Sequence, residues 1–157
     1  MLDMANEEIL EGVEGGGGPA PVGRWGQDRR LEFIEYRLRW AGRLNRSDIT
    51  RFFGISVPQA SLDLAEYSRR APQNLDYDKR TRSYVLGTRF EPVFPATNHE
   101  RYLSDLLRES DPSQVESPLG WHPAVACVSA PGRHVNGDVV ATIVRAIRED
   151  QSLRVLY

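Results

Sequence analysis

The chain has 157 residues, enough for one ordinary domain or two small ones. Hydrophobic residues make up 40% of it, which suffices for a core, but the mean hydropathy is −0.47 and no long apolar run occurs, which excludes a membrane span. The acidic start lacks the features of a secretory signal, and a single cysteine, Cys127, excludes an intramolecular disulfide. We therefore expect a cytoplasmic protein.

The net charge of −2 hides an uneven distribution along the chain. Residues 24–90 contain fourteen Arg or Lys and eight Asp or Glu, a balance of +6, whereas both flanks are acidic. A basic segment between acidic flanks suggests a surface that binds a polyanion. The alternative is a set of solvated arginines on an ordinary surface, and charge alone does not separate the two.

The N-terminal part divides into a tail and a helix. Residues 1–23 contain four consecutive glycines and little apolar material, so we predict a disordered acidic tail. From Gln27 to Ala41, apolar residues recur at the spacing of one helix stripe. A second apolar flank on this helix comprises Phe33, Tyr36 and Trp40. That flank predicts packing against another domain or a second subunit, and the alternative is a helix covered by the wing of its own domain.

Two capping signals in succession predict two further helices. Asn45, with Asp48 three residues later, is typical of a helix start, and a glycine ends that short helix. Ser56 and Gln59 form a second capping box, which predicts a third helix over about 57–69. Two helices joined by a glycine-containing turn of about four residues constitute a helix-turn-helix.

A β-hairpin follows the third helix. Its polar tip spans residues 78–82. The alternating strand residues are Leu75 and Tyr77 before the tip and Tyr84 and Leu86 after it. Three helices and a hairpin make a winged helix-turn-helix, which we place at residues 24–90.

The C-terminal part is less regular. Residues 91–122 are predicted to be a linker that contains a helix over about 99–109. Residues 123–157 are predicted to belong to a second unit. Its elements are a strand at 124–129, a helix at 139–148 and a strand-like segment at 153–157.

The third helix of a winged helix enters the major groove of DNA, so its outward face is the candidate for base recognition. The stripe expected to be buried is Val57, Ala60, Leu64 and Tyr67. The outward positions near the helix start are Pro58, Gln59, Ser61 and Leu62. Gln59 can pair bidentately with adenine, Ser61 can reach a base edge or a phosphate, and Leu62 can pack on a thymine methyl. An ordinary solvent-facing position is the alternative for each, and the better interpretation of Ser61 taken alone.

Phosphate contacts normally outnumber base contacts. The candidates are Arg46, Ser47 and Arg51 around the second helix, Lys79, Arg80 and Arg82 at the hairpin tip, and Arg69 and Arg70 at the end of the third helix. Arg80 could alternatively enter a narrow minor groove. Any one of these could be a solvated charge, but their grouping around one turn-helix-wing unit favours DNA.

Residues typical of catalysis do not form a pattern. The three histidines, His99, His122 and His134, lack metal-ligand spacing, and Cys127 has no base near it in the sequence. No glycine-rich phosphate loop follows a strand. We expect no enzyme activity, no cofactor and no metal.

The run S-V-P-Q-A-S-L-D-L-A-E-Y resembles the recognition helix of DeoR-type winged helices, with Asp63 and Leu64 matching their Asp-Leu pair. The longer run from Leu44 to Tyr67, followed by A-P-Q-N-L-D-Y-D and R-S-Y-V, resembles WYL-domain transcriptional regulators. It is most similar to the branch that controls bacterial anti-phage defence operons. A weaker resemblance, through L-G-W at 119–121 and the helix at 139–148, is to the start of a WYL domain, which is an Sm-like β-barrel.

The resemblance implies an α+β protein with a winged helix-turn-helix, a helical linker and an incomplete Sm-like β-barrel (WYL) stub. It implies a homodimer that binds double-stranded operator DNA and represses a defence-type operon. A nucleotide or nucleic-acid effector would act through the WYL domain. Because the chain stops at Tyr157, about where the first barrel strand would end, only the DNA-recognising positions are carried over. The alternative function is a protein-interaction module that uses the Phe33, Tyr36 and Trp40 flank.

Overall fold

A computed structural model describes residues 22–109, 119, 123–125 and 135–156, without the side chains of residues 22–25, 96, 108 and 109. The helices are α1 (Val22–Ala41), α2 (Arg46–Phe53), α3 (Val57–Arg70), α4 (His99–Glu109) and α5 (Gly137–Arg148). The strands are β1 (Arg43–Leu44), β2 (Leu75–Asp78) and β3 (Ser83–Leu86), and a 3-10 turn at Pro95–Thr97 precedes α4. The three helices and the hairpin of the predicted winged helix are confirmed.

The predicted start of α1 was wrong by five residues. α1 begins at Val22, five residues before Gln27 and inside the segment predicted to be a tail. Residues 1–21 of that segment lie outside the described residues. The recurring stripe locates the body of a helix better than its ends, so the sequence pattern missed the first residues of α1.

Local capping explains where α2 and α3 begin. The Asn45 backbone N–H donates to the Asp48 carboxylate at 2.7 Å, and Gly54 ends α2 at φ 63°, a left-handed conformation that favours glycine. The Ser56 hydroxyl accepts from the Gln59 backbone N–H at 3.4 Å. The second half of the predicted capping box is wrong, because the Gln59 side chain donates to Asp63 instead.

The wing is a three-stranded antiparallel sheet in the order β1-β3-β2. β3 pairs with β2 along the hairpin and with β1 through Arg43 opposite Val85 and Leu44 opposite Tyr84. The two-residue strand β1 was not predicted. Its pairing also brings the C-terminal end of α1 against the wing, since the Gly42 carbonyl accepts from the Leu86 N–H at 2.9 Å.

The main core lies between α1, α2, α3 and the sheet. Its buried side chains are Leu31, Phe33, Ile34, Leu38, Leu44, Ile49, Ala60, Leu64, Tyr67, Ala71 and Leu75. α1 is central because the residues of its stripe contact both other helices of the domain. This arrangement leaves the opposite face of α3 to the solvent.

The second apolar flank of α1 is buried within the same chain. Trp40 stacks on Tyr102 of α4 with ring centroids 4.1 Å apart, and Tyr36 donates to Asp105 at 3.0 Å. Val144 of α5 belongs to the same buried cluster. α4 and α5 therefore cover Tyr36 and Trp40, a role that the sequence assigned to another domain, a second subunit or the wing. Phe33 instead stacks on Phe52 of α2 with centroids 4.5 Å apart.

Two buried polar residues hold the connector between the wing and α4. The Glu35 carboxylate accepts four hydrogen bonds of 2.8–3.0 Å, from Tyr67, Val93, Phe94 and Thr97. Asn74 bonds both the N–H and the carbonyl of Glu91, at 2.9 and 2.7 Å. Burial, together with the adjacent Glu35 carboxylate, raises the pKa of Tyr67, so its hydroxyl remains a donor.

The predicted C-terminal elements fare unevenly. The helix at 139–148 is confirmed and begins two residues earlier, capped by the Asn136 side chain. Of the predicted strand at 124–129, residues 124 and 125 form no strand and the rest lie outside the described residues. Residues 153–156 also form no strand, since no described strand lies beside them to pair with.

None of the helices in the described part of the chain is long and apolar enough to cross a membrane.

Candidate DNA-binding surface

The N-terminal half of α3 presents an exposed face, as predicted. Leu62 is 63% exposed, Pro58 is exposed, and Gln59 and Ser61 are half-buried. Ala60, Leu64 and Tyr67 are buried against α1 and α2. An exposed leucine on this face supplies apolar contact area beside polar groups, which suits a base edge with a methyl group.

The predicted burial of one side chain of this helix is wrong, and a second side chain bonds within the helix. Val57 was predicted to be buried, but it is 57% exposed, because the first residue of α3 extends past the end of the α1 and α2 core. Ser61 donates its hydroxyl to the Val57 carbonyl at 3.0 Å. This bond within the helix leaves the hydroxyl oxygen only as an acceptor.

Gln59 belongs to a partly buried hydrogen-bond network. Its amide nitrogen donates to Asp63 at 3.2 Å. Asp63 in turn receives two hydrogen bonds from Arg30 of α1, at 2.6 and 3.2 Å, and its side chain is fully buried. The sequence pattern missed this network because Arg30 and Asp63 are 33 residues apart.

Arg46, at the start of α2, lies against the wing. Its guanidinium donates to the Tyr84 hydroxyl at 2.8 Å and lies 5.5 Å from the centre of the Tyr84 ring. Tyr84 therefore positions Arg46, a role that the sequence did not suggest. Ser47 and Arg51 are exposed on the same helix.

The tip of the wing presents three exposed cations, Lys79, Arg80 and Arg82. Asp78 shapes the turn by accepting from the Arg80 backbone N–H at 2.8 Å and from the Thr81 hydroxyl at 2.7 Å. These bonds, the Thr81 bond first, lower the pKa of Asp78. Arg82 has φ 53°, so the turn places a charged residue in the left-handed region. In the described part of the chain, no carboxylate lies within ion-pair distance of the three cations or of Arg51.

The C-terminal end of α3 is electrostatically different. Arg69 and Arg70 both donate to Glu66, at distances of 2.7–2.9 Å, and Arg70 also contacts Asp28 at 3.1 Å. Two arginines and two carboxylates balance in this cluster. The sequence-based proposal that Arg69 and Arg70 contact phosphate is therefore weakened, because both guanidinium groups already have anionic partners.

Groups suited to metal binding are absent from the described residues, where no three His, Cys, Asp or Glu side chains lie together. His122, His134 and Cys127 lie outside the described residues. The surface built by α3, the start of α2 and the wing tip carries cations, one amide and exposed apolar groups. Such a surface can bind a polyanion and contact base edges.

Three packed helices, a β-wing and an exposed third helix define the class of winged helix-turn-helix domains. A model of the BrxR transcriptional regulator winged helix-turn-helix domain matches residues 26–108. The chain belongs to this family.

The curated relatives include proteins named DNA-binding transcriptional repressor CapW. The chain is 54% identical to the protein from Pseudomonas aeruginosa and 52% identical to one from Escherichia coli, each over 136 residues. It is 46% identical over 138 residues to the protein from Stenotrophomonas maltophilia. In all three cases 85% of this chain is covered, and the chain spans 46% of the relative, about half its length.

Proposed function

We propose that this chain is the DNA-binding part of a transcriptional repressor, in which α3 enters the major groove and the wing and α2 contact the phosphate backbone. One observation carries the proposal: a single turn-helix-wing unit presents the exposed face of α3 and four cations, Arg51, Lys79, Arg80 and Arg82, that have no carboxylate within ion-pair distance among the described residues. The relatives, which are named DNA-binding repressors, support the same conclusion.

The division of labour follows from the side chains. Gln59 and Leu62 are the candidates for base contacts, while Pro58 and Ser61 border them. Arg46, Ser47 and Arg51 contact the backbone from α2, and the wing cations contact it from the other side of the groove. Arg80 can alternatively enter the minor groove beside the wing.

The surface proposed for the alternative function, a protein-interaction module, is largely buried. Its contact residues were Phe33, Tyr36 and Trp40, and these are only 7%, 6% and 1% exposed. α2 covers the first, and α4 and α5 cover the other two. A partner could contact Trp40 only if α4 and α5 moved away from it.

Finer features of the proposal come from the family resemblance. We propose that residues 123–157 are the beginning of a WYL-type domain, that the winged helix is of the DeoR type, and that two copies act as a homodimer on an operator with two half-sites, in a defence-type operon. A nucleotide or nucleic-acid effector would act through the WYL domain. A cytoplasmic location and the absence of enzyme activity follow from the same proposal.

The test is a salt titration of binding to a duplex selected from random DNA and to an unrelated duplex, both followed by fluorescence anisotropy. The logarithm of affinity should fall with the logarithm of salt at a slope of about −0.9 per neutralised phosphate. The selected duplex should bind at least about a thousandfold more tightly than the unrelated one. Equal affinity for both duplexes, or no dependence on salt, would contradict the proposal.

A further inference from the structure

We propose that Asp63 is a positioning residue for base recognition, which with Arg30 fixes the amide of Gln59 in the orientation that matches adenine. This inference rests on the proposed DNA-binding function and assigns a mechanism to one of its contacts. The juxtaposition of Arg30, Asp63 and Gln59 on α1 and α3 carries it.

Asp63 cannot turn away from its position. Its side chain is fully buried and that of Arg30 is 16% exposed. Arg30 Nε donates to Asp63 Oδ2 at 2.6 Å, and Arg30 Nη2 donates to Asp63 Oδ1 at 3.2 Å. A bidentate bond of this kind fixes both the place and the plane of a carboxylate.

The carboxylate dictates which way the Gln59 amide faces. A carboxylate paired with a guanidinium accepts hydrogen bonds and donates none, so Gln59 has to turn its NH₂ group towards Asp63. The observed bond joins Gln59 Nε2 to Asp63 Oδ1 at 3.2 Å. The amide oxygen and the second N–H of Gln59 then form an edge with one acceptor and one donor.

That edge is complementary to adenine in the major groove. The amide oxygen can accept from the adenine N6 amino group while the second N–H donates to N7. An amide without a fixed partner rotates freely and presents its two atoms in either order. Asp63 therefore excludes the opposite orientation of the Gln59 amide in the free protein. This lowers the conformational entropy that is lost when Gln59 contacts adenine.

The connection of Gln59 to Asp63 is not needed to join the helices. The two bonds between Arg30 and Asp63 already tie α1 to α3. The sequence pattern placed Gln59 in a capping box, yet its side chain extends one turn along α3, away from the Ser56 backbone. The geometry assigns the amide to the exposed face of α3.

The experiment compares four forms of the full chain: wild type, Gln59→Ala, Asp63→Asn and the double variant. Selection from random DNA first locates the position whose base preference Gln59→Ala abolishes. At that position the wild type should prefer adenine over other bases by about 5- to 150-fold, the ratio equivalent to about 1–3 kcal/mol. Asp63→Asn should lose most of that preference and keep its affinity for unrelated DNA, because the asparagine amide no longer forces the Gln59 orientation.

The double variant separates positioning from stability. If Asp63 acts through Gln59, the double variant should discriminate no worse than Gln59→Ala alone. Tyr67→Phe is the matched control: it removes a buried hydrogen bond of α3 to Glu35 without touching Gln59, so it should lower the thermal midpoint and leave the adenine preference intact. All binding is measured at a temperature where circular dichroism shows each variant folded.

Arg30→Lys is the second variant if Asp63→Asn does not fold. Lysine keeps the charge but cannot hold both carboxylate oxygens, so the adenine preference should fall several-fold. If adenine preference survives in Asp63→Asn, or in Arg30→Lys where that variant replaces it, Asp63 is only a tie between helices and the inference is overturned. If the wild type binds no DNA specifically, the proposed function itself fails, which is a distinguishable result.

Discussion

The two ends of α3 are both rich in polar side chains, but they differ in what those side chains are bonded to. At the start, Leu62 is exposed and the half-buried Gln59 side chain is bonded only to Asp63 among the described residues. At the end, Arg69 and Arg70 are paired with Glu66 and Asp28. The number of arginines on a helix is therefore not enough to identify a DNA-binding surface. The carboxylates that already pair with those arginines also have to be taken into account.

The largest expected effect comes from the wing. Replacing Lys79, Arg80 and Arg82 together by glutamine should flatten the slope of log affinity against log salt by about 2.7, which is roughly 0.9 for each lost phosphate contact. Anisotropy titrations on the selected duplex measure this slope.

The matched control is Arg69→Gln with Arg70→Gln, which removes two cations from the other end of the same unit. The slope should change by less than about 1, because those cations are already neutralised. An equal loss per charge in both variants would contradict the contrast between the ends of α3.

Leu62→Ala should weaken binding to the selected duplex by roughly 1–2 kcal/mol, since the contact with a thymine methyl loses buried apolar area. The thermal midpoint should hardly change, because the side chain is 63% exposed in the free protein. Calorimetry of the protein alone and titration of the complex give the two numbers. If the variant had a lower thermal midpoint but unchanged affinity for the duplex, Leu62 would stabilise the fold and not contact DNA.

Glu66→Gln tests the difference between the two ends of α3 at the C-terminal end. It should release Arg69 and Arg70 from their shared partner and so increase affinity for unrelated DNA by a few-fold at low salt, with a steeper salt slope. The specificity for the selected duplex should fall accordingly. Unchanged affinity would mean that these arginines do not reach DNA even without the Glu66 carboxylate.

Lowering the pH to 5.5 should not reproduce the effect of Glu66→Gln. Hydrogen bonds from Arg69 and then Arg70 lower the pKa of Glu66 from 4.5 to about 2. Since the pKa is depressed in the folded state, the stabilisation is complete above pH 4.5 and is lost only as the pH falls towards 2. Affinity of the Glu66→Gln variant relative to wild type should therefore be the same at pH 7.5 and pH 5.5. If the affinities of the variant and the wild type became more similar between pH 7.5 and pH 5.5, Glu66 would be taking up a proton in that range.

Ser61→Ala should have the smallest effect, within about 0.5 kcal/mol on affinity and stability. Its hydroxyl proton is already bonded to the Val57 carbonyl, so alanine removes only an acceptor from the exposed face. A loss as large as that of Leu62→Ala in the same titration would show that this acceptor meets the DNA.

Features decided by neighbours in sequence were predictable. The starts of α2 and α3 were predictable because a helix cap involves residues that are three positions apart. Strand β1 was not, because Arg43 and Leu44 become a strand only by pairing with residues about forty positions later.

The candidate site divides in the same way. The exposed face of α3 followed from its periodicity, whereas the burial of Asp63 depends on Arg30, 33 residues away. Neither partner of Arg70 was predicted from the sequence: Glu66 is four residues away on the same helix, whereas Asp28 is 42 residues away and could not be found from any local spacing. Long-range pairing is set by the packing of α1 against α3, which no local pattern encodes.

The four hydrogen bonds to Glu35 have a mechanical consequence. They tie the connector at residues 93–97 to the middle of α1, so this segment is not a hinge. We therefore expect a displacement of α4 to be carried to α1 with little bending of this segment. In the proposed homodimer, such a displacement should alter the spacing between the two winged helices while leaving the shape of each unchanged.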